Sequence, residues 1–407
     1  MTCLFPQLPE KTRKTLNRLP SLIDEVFPMP GRFRAGLGRD VAELSRLLTS
    51  GREDRGASYL GKPALLSAYL RYFLPWNIYR LSRLLSSLPL ELKPNDVIND
   101  LGSGPLTLAI SLWISRSELR EVPLEFRCLD RTALVLEAGK KLFSALTLAS
   151  PLQGKSSCPW SIKTIRGEIK HSGRLSREIK GKPASLSAAV NLYNELFWDF
   201  SPHAADEMER FTENQAKLLS QLTESSGSIL VVEPGIPRSG EFISLLRSCL
   251  INKGRPPLSP CVHQDPCPLP GRQSGVSHND KGSKAKWCHF AFDTEDAPEE
   301  LHQLSAAAHI PKERAVLSFI FAGPRKTQTH SGTQTPGSAI RIISDLFPVE
   351  KSGWGRYGCS KSGLVLVSGS HRDLETSPSG SLETIPLVKD KRDAKSGALV
   401  AEKKPRS

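Results

Sequence analysis

Four cysteines in the second half of this 407-residue chain have the look of a ligand set. Two close the segment Cys261-Val-His-Gln-Asp-Pro-Cys267. A third stands in Trp287-Cys288-His289-Phe290 and a fourth in Tyr357-Gly358-Cys359-Ser360. Thiolates suit zinc or an iron–sulfur cluster. The Cys-x5-Cys spacing is longer than the gap of about 2–4 residues usual in zinc fingers. It also misses the bacterial ferredoxin run. His263 and His289 stand beside the cysteines, so a mixed Cys/His zinc site is open as well. Burial as free thiols is the third possibility, since free cysteine often behaves as a small apolar residue. Spacing alone leans towards zinc. Cys3, Cys128, Cys158 and Cys249 fall in the buried-thiol class.

A second group of residues reads as a cofactor loop. Asp100-Leu101-Gly102-Ser103-Gly104-Pro105-Leu106-Thr107 follows an apolar strand and opens a helix. Glycines there let the backbone turn tightly and approach a ligand closely. A dinucleotide site reads Gly-x-Gly-x-x-Gly, with the pyrophosphate on the helix N-terminus. Here Thr107 replaces the third glycine, and Asp100 stands two residues ahead of the first. Asp-x-Gly-x-Gly resembles the first motif of class I S-adenosylmethionine-dependent methyltransferases, in which the loop acid helps position the ligand's ammonium group. Asp130 closes the next strand, where that family places the acid for both ribose hydroxyls, a paired acceptor for two vicinal donors. The resemblance implies S-adenosylmethionine held by Asp100, Gly102, Gly104 and Asp130. The alternatives are an NAD-type site, or a structural turn in which the two acids only cap helices.

Methyl transfer is less legible. Val190-Asn191-Leu192-Tyr193-Asn194-Glu195-Leu196 ends the fourth strand of the pattern. It is not an Asn-Pro-Pro-Tyr motif, nor does it carry the cysteine nucleophile of 5-methylcytosine chemistry. Asn191, Asn194 and Glu195 are candidates to orient a substrate or to cap element ends. The catalytic residue is unknown.

The elements that must position these groups follow from periodicity. Residues 60–88 predict two helices separated by a break or kink at Pro75. Aromatics and arginines interleave there, at Tyr69, Arg71, Tyr72, Phe73, Trp76, Tyr79, Arg80 and Arg83. They suit RNA contact by stacking and phosphate pairing, or a packed helical hairpin with solvated arginines. From residue 95, strands near 97–100, 124–129, 161–165, 187–192 and 228–232 alternate with helices. That alternation predicts an α/β, doubly wound, mostly parallel sheet. Later strands are expected at 315–321 and 363–367. Residues 272–286 and 324–338 read as loops, and the chain after about residue 370 as a disordered tail.

Composition narrows the partners. The formal net charge is +13, and residues 1–90 carry 14 Lys/Arg against 7 Asp/Glu. Such a balance favours a polyanion, nucleic acid above all. No apolar run reaches the ~18–20 residues of a membrane span. The N-terminus lacks the pattern of a secretory signal. Glu10, Asp24 and Glu25 argue against a transit peptide, so the expectation is cytoplasmic, with a mitochondrial alternative. Cysteines clustered in a reducing compartment point to metal more than to disulfides.

Several segments together resemble the methyltransferase-like proteins of the mitochondrial small ribosomal subunit and their bacterial relatives. They are Tyr69-Leu70-Arg71-Tyr72-Phe73-Leu74-Pro75, the Asp100–Pro105 loop, Val232-Glu233-Pro234-Gly235-Ile236-Pro237-Arg238, the Cys261–Leu269 segment, Trp287–Phe290 and Trp354–Cys359. The resemblance covers about residues 56–370. It implies a small-subunit assembly or translation factor that binds rRNA and S-adenosylmethionine. It also implies a [4Fe–4S] cluster on Cys261, Cys267, Cys288 and Cys359, with zinc as the alternative metal. An active rRNA methyltransferase with a structural metal site is the second reading, and a small-molecule methyltransferase the third. The expected organisation is a basic helical region (1–94), a methyltransferase-like Rossmann core (95–255), a four-cysteine insertion with the last strands of the sheet (256–370) and the tail (371–407), acting as a monomer.

Overall fold

The computed structural model describes residues 3–49, 51, 59–149, 158–177, 179–198, 200, 205–271, 286–325, 339–349 and 353–403. Most of the two polar stretches expected to be loops, 272–285 and 326–338, lies outside the described residues.

The N-terminal region is helical: α1 (Glu10–Val26), α2 (Gly31–Arg34), α3 (Leu37–Leu48), α4 (Pro63–Ala68) and α5 (Leu74–Leu85). Between α4 and α5 the chain makes one π-helical turn, Tyr69–Phe73, closed by a hydrogen bond from the Leu74 amide to the Tyr69 carbonyl. That wide turn absorbs Pro75, which then sits in the first turn of α5, where a missing N–H costs nothing. The expected break is therefore a change of helical pitch.

The alternating pattern folds as predicted: β1 (Asp96–Leu101), α6 (Thr107–Ser115), β2 (Leu124–Asp130), α7 (Ala133–Leu148), β3 (Trp160–Arg166), β4 (Ala184–Val190), α8 (Tyr193–Leu196), α9 (Ala205–Leu222), β5 (Thr223–Pro234) and α10 (Pro237–Asn252). Three short additions follow, β6 (Pro257–Ser259), β7 (Phe290–Asp293) and α11 (Glu299–Ala307), and then β8 (Arg314–Ala322). The sheet order is β3-β2-β1-β4-β5-β8-β6, with β7 also on β8. β1 to β5 pair in parallel, and β8 runs antiparallel to β5.

Both faces of this sheet are covered, and the side-chain alternation of its strands explains how. In β5, Leu230 and Val232 enter the core shared with α1 and α4–α7, while Ile229 and Val231 enter the core shared with α9 and α10. In β8, Leu317, Phe319 and Phe321 point to the first core and Ile320 and Ala322 to the second. A strand buried on both faces reads as a near-continuous apolar run, as Ile229–Val232 of β5 and Phe319–Ala322 of β8 do.

Two expectations are corrected beyond residue 338. The strand near 363–367 does not extend the main sheet, and the tail is not disordered. β9 (Ala339–Ile342), β10 (Phe347–Val349), β11 (Gly353–Ser360), β12 (Gly363–Gly369), α12 (His371–Glu375), β13 (Leu382–Thr384), β14 (Leu387–Arg392) and β15 (Leu399–Glu402) form a second unit around a seven-stranded sheet. Its order is β13-β9-β11-β12-β15-β14, with β10 on β11. Ile340, Ile342, Val365, Val367, Leu374 and Ala401 make its core. The tail has few apolar residues, but Leu374 of α12, Ile385 and Ala401 of β15 pack into the core of this sheet, so a low apolar density still closes it. The N-terminus is tied to the same unit, through a bridge between Cys3 and Ser381 and a hydrogen bond from the Leu4 amide to the Gly380 carbonyl (3.1 Å).

Candidate cofactor cleft and four-thiol pocket

A cleft of ≈ 460 Å³ opens above the ends of β1, β2 and β4. This is the place where a doubly wound sheet binds ligands, since the strand order reverses there and the loops diverge. Its floor is the turn after β1. Gly102 and Gly104 both take positive φ, +68° and +53°, conformations that L side chains avoid. The turn is stitched from inside. Asp100 is buried beneath it, and its carboxylate accepts from Ser103 Oγ at 2.5 Å. Asp130, at the end of β2, lines the cleft. It accepts from the Gly104 amide (3.0 Å) and from the Thr132 amide (2.8 Å). The structure thus brings together all four sequence-predicted residues, with Asp130, Gly102 and Gly104 on the cleft wall and Asp100 one layer below. Asp130 also holds the amide of Thr132, the residue just ahead of α7, so a structural role and a ligand-binding role for this acid are compatible.

Burial raises the proton affinity of these acids. Asp100 is pushed up to about 7 by burial, with Asp130 adding to the rise and the Ser103 hydroxyl opposing it. Asp130 is raised by burial against the pull of its two amide donors. Arg80 and Arg131 line the cleft with Asp130, Glu168 and Glu195, so acids outnumber cations there, as suits a cationic ligand. An anionic pyrophosphate suits it less, because the Gly104 amide it would use already serves Asp130.

The opposite wall was not predicted as a site. Tyr69, in the π-turn, and Asn77 and Arg80, in α5, line the cleft facing Asn191, Asn194 and Glu195. Arg80 donates to Asn191 Oδ1 (2.8 Å), Asn77 Oδ1 (3.1 Å) and the Val316 carbonyl (2.9 Å). Glu233, fully buried at the end of β5, accepts from the Tyr193 and Asn194 amides at 2.7 and 3.1 Å. It therefore fixes the turn that presents Asn194 and Glu195. Burial pushes Glu233 up to about 8, opposed by those amides and by Arg80. The signal for this wall was the Arg/aromatic stripe itself. Its aromatics pack as the helical-hairpin alternative expects, with Tyr72, Trp76 and Tyr79 buried, but Arg71 and Arg83 are not solvated. Arg71 is buried against Asp24 (2.9 Å), Ser67 (2.8 Å) and the Phe27 carbonyl. Arg83, 2% exposed, pairs with Asp296 (2.7 Å) and holds the Phe5 carbonyl (3.0 Å). Both are internal struts.

The four cysteines come from three segments that the fold draws together. Trp287 bridges to Pro270, and the Gly271 amide donates to the Lys286 carbonyl (3.0 Å), which brings the segments of Cys267 and Cys288 side by side. Cys288 is held by Ser318 of β8, whose hydroxyl donates to its carbonyl (2.7 Å). Trp287 donates to the Gly235 carbonyl (3.0 Å) and lies on α10 at Gly240, where a Cβ would meet the Trp287 Cβ at 2.7 Å. Cys359 comes from β11 of the second sheet. Burial raises the Cys288 thiol well above its ordinary range, and Cys267, Cys261 and Cys359 raise it further, so all four thiols lie within electrostatic reach. Cys261 and Cys359 are also raised, burial first. His263 Nε2 lies 3.4 Å from Cys359 Sγ, whereas His289 stacks on Trp287. The donor set fits a thiolate-held metal in type and burial. Among the described residues no three such side chains stand in metal-holding geometry. No cysteine is in a disulfide. Of the remaining cysteines, Cys128 is fully buried, and Cys3, Cys158 and Cys249 are half-buried.

Comparison with known proteins bears on this geometry. Residues 155–348 match the model of a family described as Rsm22, mitochondrial small ribosomal subunit Rsm22. The matched stretch is similar to that family. It runs from before β3 to β10 and holds Cys261, Cys267, Cys288, Asn191 and Glu233, while the Asp100–Asp130 loop system and Cys359 flank it. Among solved structures, a Listeria monocytogenes protein described as a class I S-adenosylmethionine-dependent methyltransferase is 10% identical, with a TM-score of 0.35 over 80% of this chain and 90% of that one. Geranyl diphosphate methyltransferase, in complex with GPP and sinefungin, is 10% identical, with a TM-score of 0.31 over 66% and 84%. No curated protein matches. The strand order, rather than these distant likenesses, carries the doubly wound fold. Among the described residues no helix is long and apolar enough to cross a membrane.

Proposed function

We propose that this chain is a small-ribosomal-subunit assembly or translation factor on a methyltransferase-like fold. It binds S-adenosylmethionine in the cleft and small-subunit rRNA on its basic surface. It carries a [4Fe–4S] cluster on Cys261, Cys267, Cys288 and Cys359. The observation that carries the reading is that the stretch similar to the Rsm22 family contributes to both sites at once. It gives the cleft its Asn191–Glu195 wall and the thiol pocket three of its four cysteines. The family description supports the mitochondrial alternative for its location and a ribosomal partner. The net charge of +13 supports a polyanionic one.

When bound, S-adenosylmethionine supplies an electrophilic methyl group on a sulfonium. Asp130 keeps lone pairs free for the ribose diol, and Gly102 and Gly104 let the backbone approach it. Asp100, ionised, draws the ammonium end through the turn. An active rRNA methyltransferase is favoured by one observation, that Asn191 and Glu195 line the same cleft as the glycine loop. Against it, Glu233, the buried carboxylate behind that wall, is spent on two amides.

Anaerobically purified protein should show broad visible absorbance with iron and sulfide, co-sediment with small subunits in a salt-sensitive way, and bind S-adenosylmethionine in isothermal titration. Asp130→Ala should weaken that binding at least tenfold. Folded protein that binds no S-adenosylmethionine, or that ignores small subunits, overturns the reading. A zinc-loaded, colourless protein overturns the cluster alone.

A further inference from the structure

Two buried arginines grip the Cys261–Cys267 segment from opposite sides. Arg247, 3% exposed on α10, donates from Nε to Cys261 Sγ at 3.2 Å. Its fork also takes the His263 and Asp265 carbonyls at 2.7 and 2.9 Å. Arg341, 7% exposed on β9, lies directly across the ladder from Cys359. It donates to the Pro260 carbonyl (3.1 Å) and the Gly380 carbonyl (2.8 Å). No carboxylate is hydrogen-bonded to either guanidinium in these contacts; the negative charge each has to meet is sulfur.

We infer that Arg247 and Arg341 balance the charge of the four-thiolate centre, and that Arg247, by donating to the Cys261 sulfur, raises its reduction potential. The inference rests on the proposed cluster. An isolated buried cation is costly unless it is paired. Two of them beside four thiols make sense when those thiols are ionised ligands. Four thiolates around an iron–sulfur core of charge +2 leave two negative charges, which these two guanidiniums match. A reduced cluster carries one more electron. Cations and N–H···S hydrogen bonds therefore favour the reduced state, and hydrogen bonding to sulfur is an established lever on cluster potential. The backbone contacts of Arg247 add a positioning role, because the same fork shapes the segment that presents Cys261.

The experiment uses the full chain, purified without oxygen and assayed for iron and sulfide. The reduced fraction is read by electron paramagnetic resonance against mediators of known potential, in wild type, Arg247→Lys and Arg247→Gln. At a fixed potential, the ratio of reduced to oxidised cluster should fall at least tenfold in Arg247→Gln, about 59 mV for a one-electron couple. Arg247→Lys, which keeps the charge but loses the fork, should fall in between. A loaded Arg247→Gln with the wild-type potential overturns the inference and leaves the cluster reading intact. Failure of both variants to load iron, with wild type loaded and far-UV circular dichroism unchanged, also overturns it and makes Arg247 a loop strut. A wild type that binds no iron and sulfide overturns the cluster reading and this inference with it.

Discussion

The cleft and the thiol pocket are two polar sites on one sheet, and they are built in opposite ways. The cleft floor is local. Asp100 bonds a hydroxyl three residues away, and Asp130 bonds an amide two residues on and another 26 residues back. The thiol pocket is assembled at long range. His263 and Cys359 stand 96 residues apart in sequence, and Arg341 reaches Pro260 across 81. The cleft also sets more acids than cations around a ligand space, with Arg80 and Arg131 on its wall, whereas the pocket gathers thiols beside Arg247 and Arg341. A site made of one turn needs only the strands that frame it. One made of three distant segments needs every unit of the fold docked.

The comparison is tested most severely by removing residues 371–407. That deletes β13, which pairs β9, and β15, which pairs β12. β9 and β12 are left with open edges on either side of β11, and Ala401 and Leu374 are lost from their core. The truncated protein should lose most of its iron, because Cys359 and Arg341 ride on those strands, while retaining S-adenosylmethionine binding within a fewfold of wild type. Iron assay and titration calorimetry on the same preparation decide it. Full iron loading in the truncated protein would show that the pocket does not depend on the second sheet.

The same contrast explains what was legible in the sequence. The parallel sheet could be read because short apolar runs, such as Val97-Ile98 in β1, Cys128-Leu129 in β2 and Ile229–Val232 in β5, alternate with helices. The cofactor loop could be read because its glycines and acids are close in sequence. The second sheet could not. β10 and β13 have three residues each, and β14, Leu387-Val-Lys-Asp-Lys-Arg392, is mostly exposed. Such strands gain their stability from partners far along the chain, which no local window reports. The Arg/aromatic stripe misled for a related reason. Arg83 looks like a surface cation until Asp296 and the Phe5 carbonyl, contributed from both ends of the chain, are seen to close over it. The cysteines declared a centre, but which of His263 and His289 approaches it depended on Trp287, which turns His289 aside.

A second test asks whether the cleft is as local as its hydrogen bonds suggest. Gly139, in the middle of α7, packs under the loop, where a Cβ would meet the Pro105 carbonyl carbon at 2.4 Å. Helix propensity predicts that Gly139→Ala stabilises by about 1 kcal/mol. Overpacking against backbone costs about 1–3 kcal/mol, and backbone cannot swing away as a side chain can. The packing effect should win. The variant should unfold at a lower denaturant midpoint and bind S-adenosylmethionine several-fold more weakly, with iron content unchanged. A stabilised variant with normal binding would mean that α7 shifts freely and that the loop does not depend on it.

The smallest effect probes the charge contrast itself. Asp100 is held at about 7 in the folded protein by burial, with Asp130 adding to the rise, against about 3.9 in an unfolded chain. A raised acid favours folding in its protonated form. Its stabilising contribution is complete below the unfolded value and is lost as pH rises through about 7. Asp100→Asn cannot ionise, so its melting temperature should match wild type near pH 4, rise above it between pH 4 and 7, and hold a constant lead beyond. Glu233, raised in the same direction, is present in both proteins and cancels in the difference. Binding should move the other way. In wild type, affinity for the cationic ligand should grow as Asp100 ionises through pH 7, and in Asp100→Asn that growth should be missing. A melting-temperature gap independent of pH would show that Asp100 is ionised throughout. The cleft's acids would then be charged even without a ligand, and the contrast with the arginine-balanced thiol pocket would rest on geometry alone.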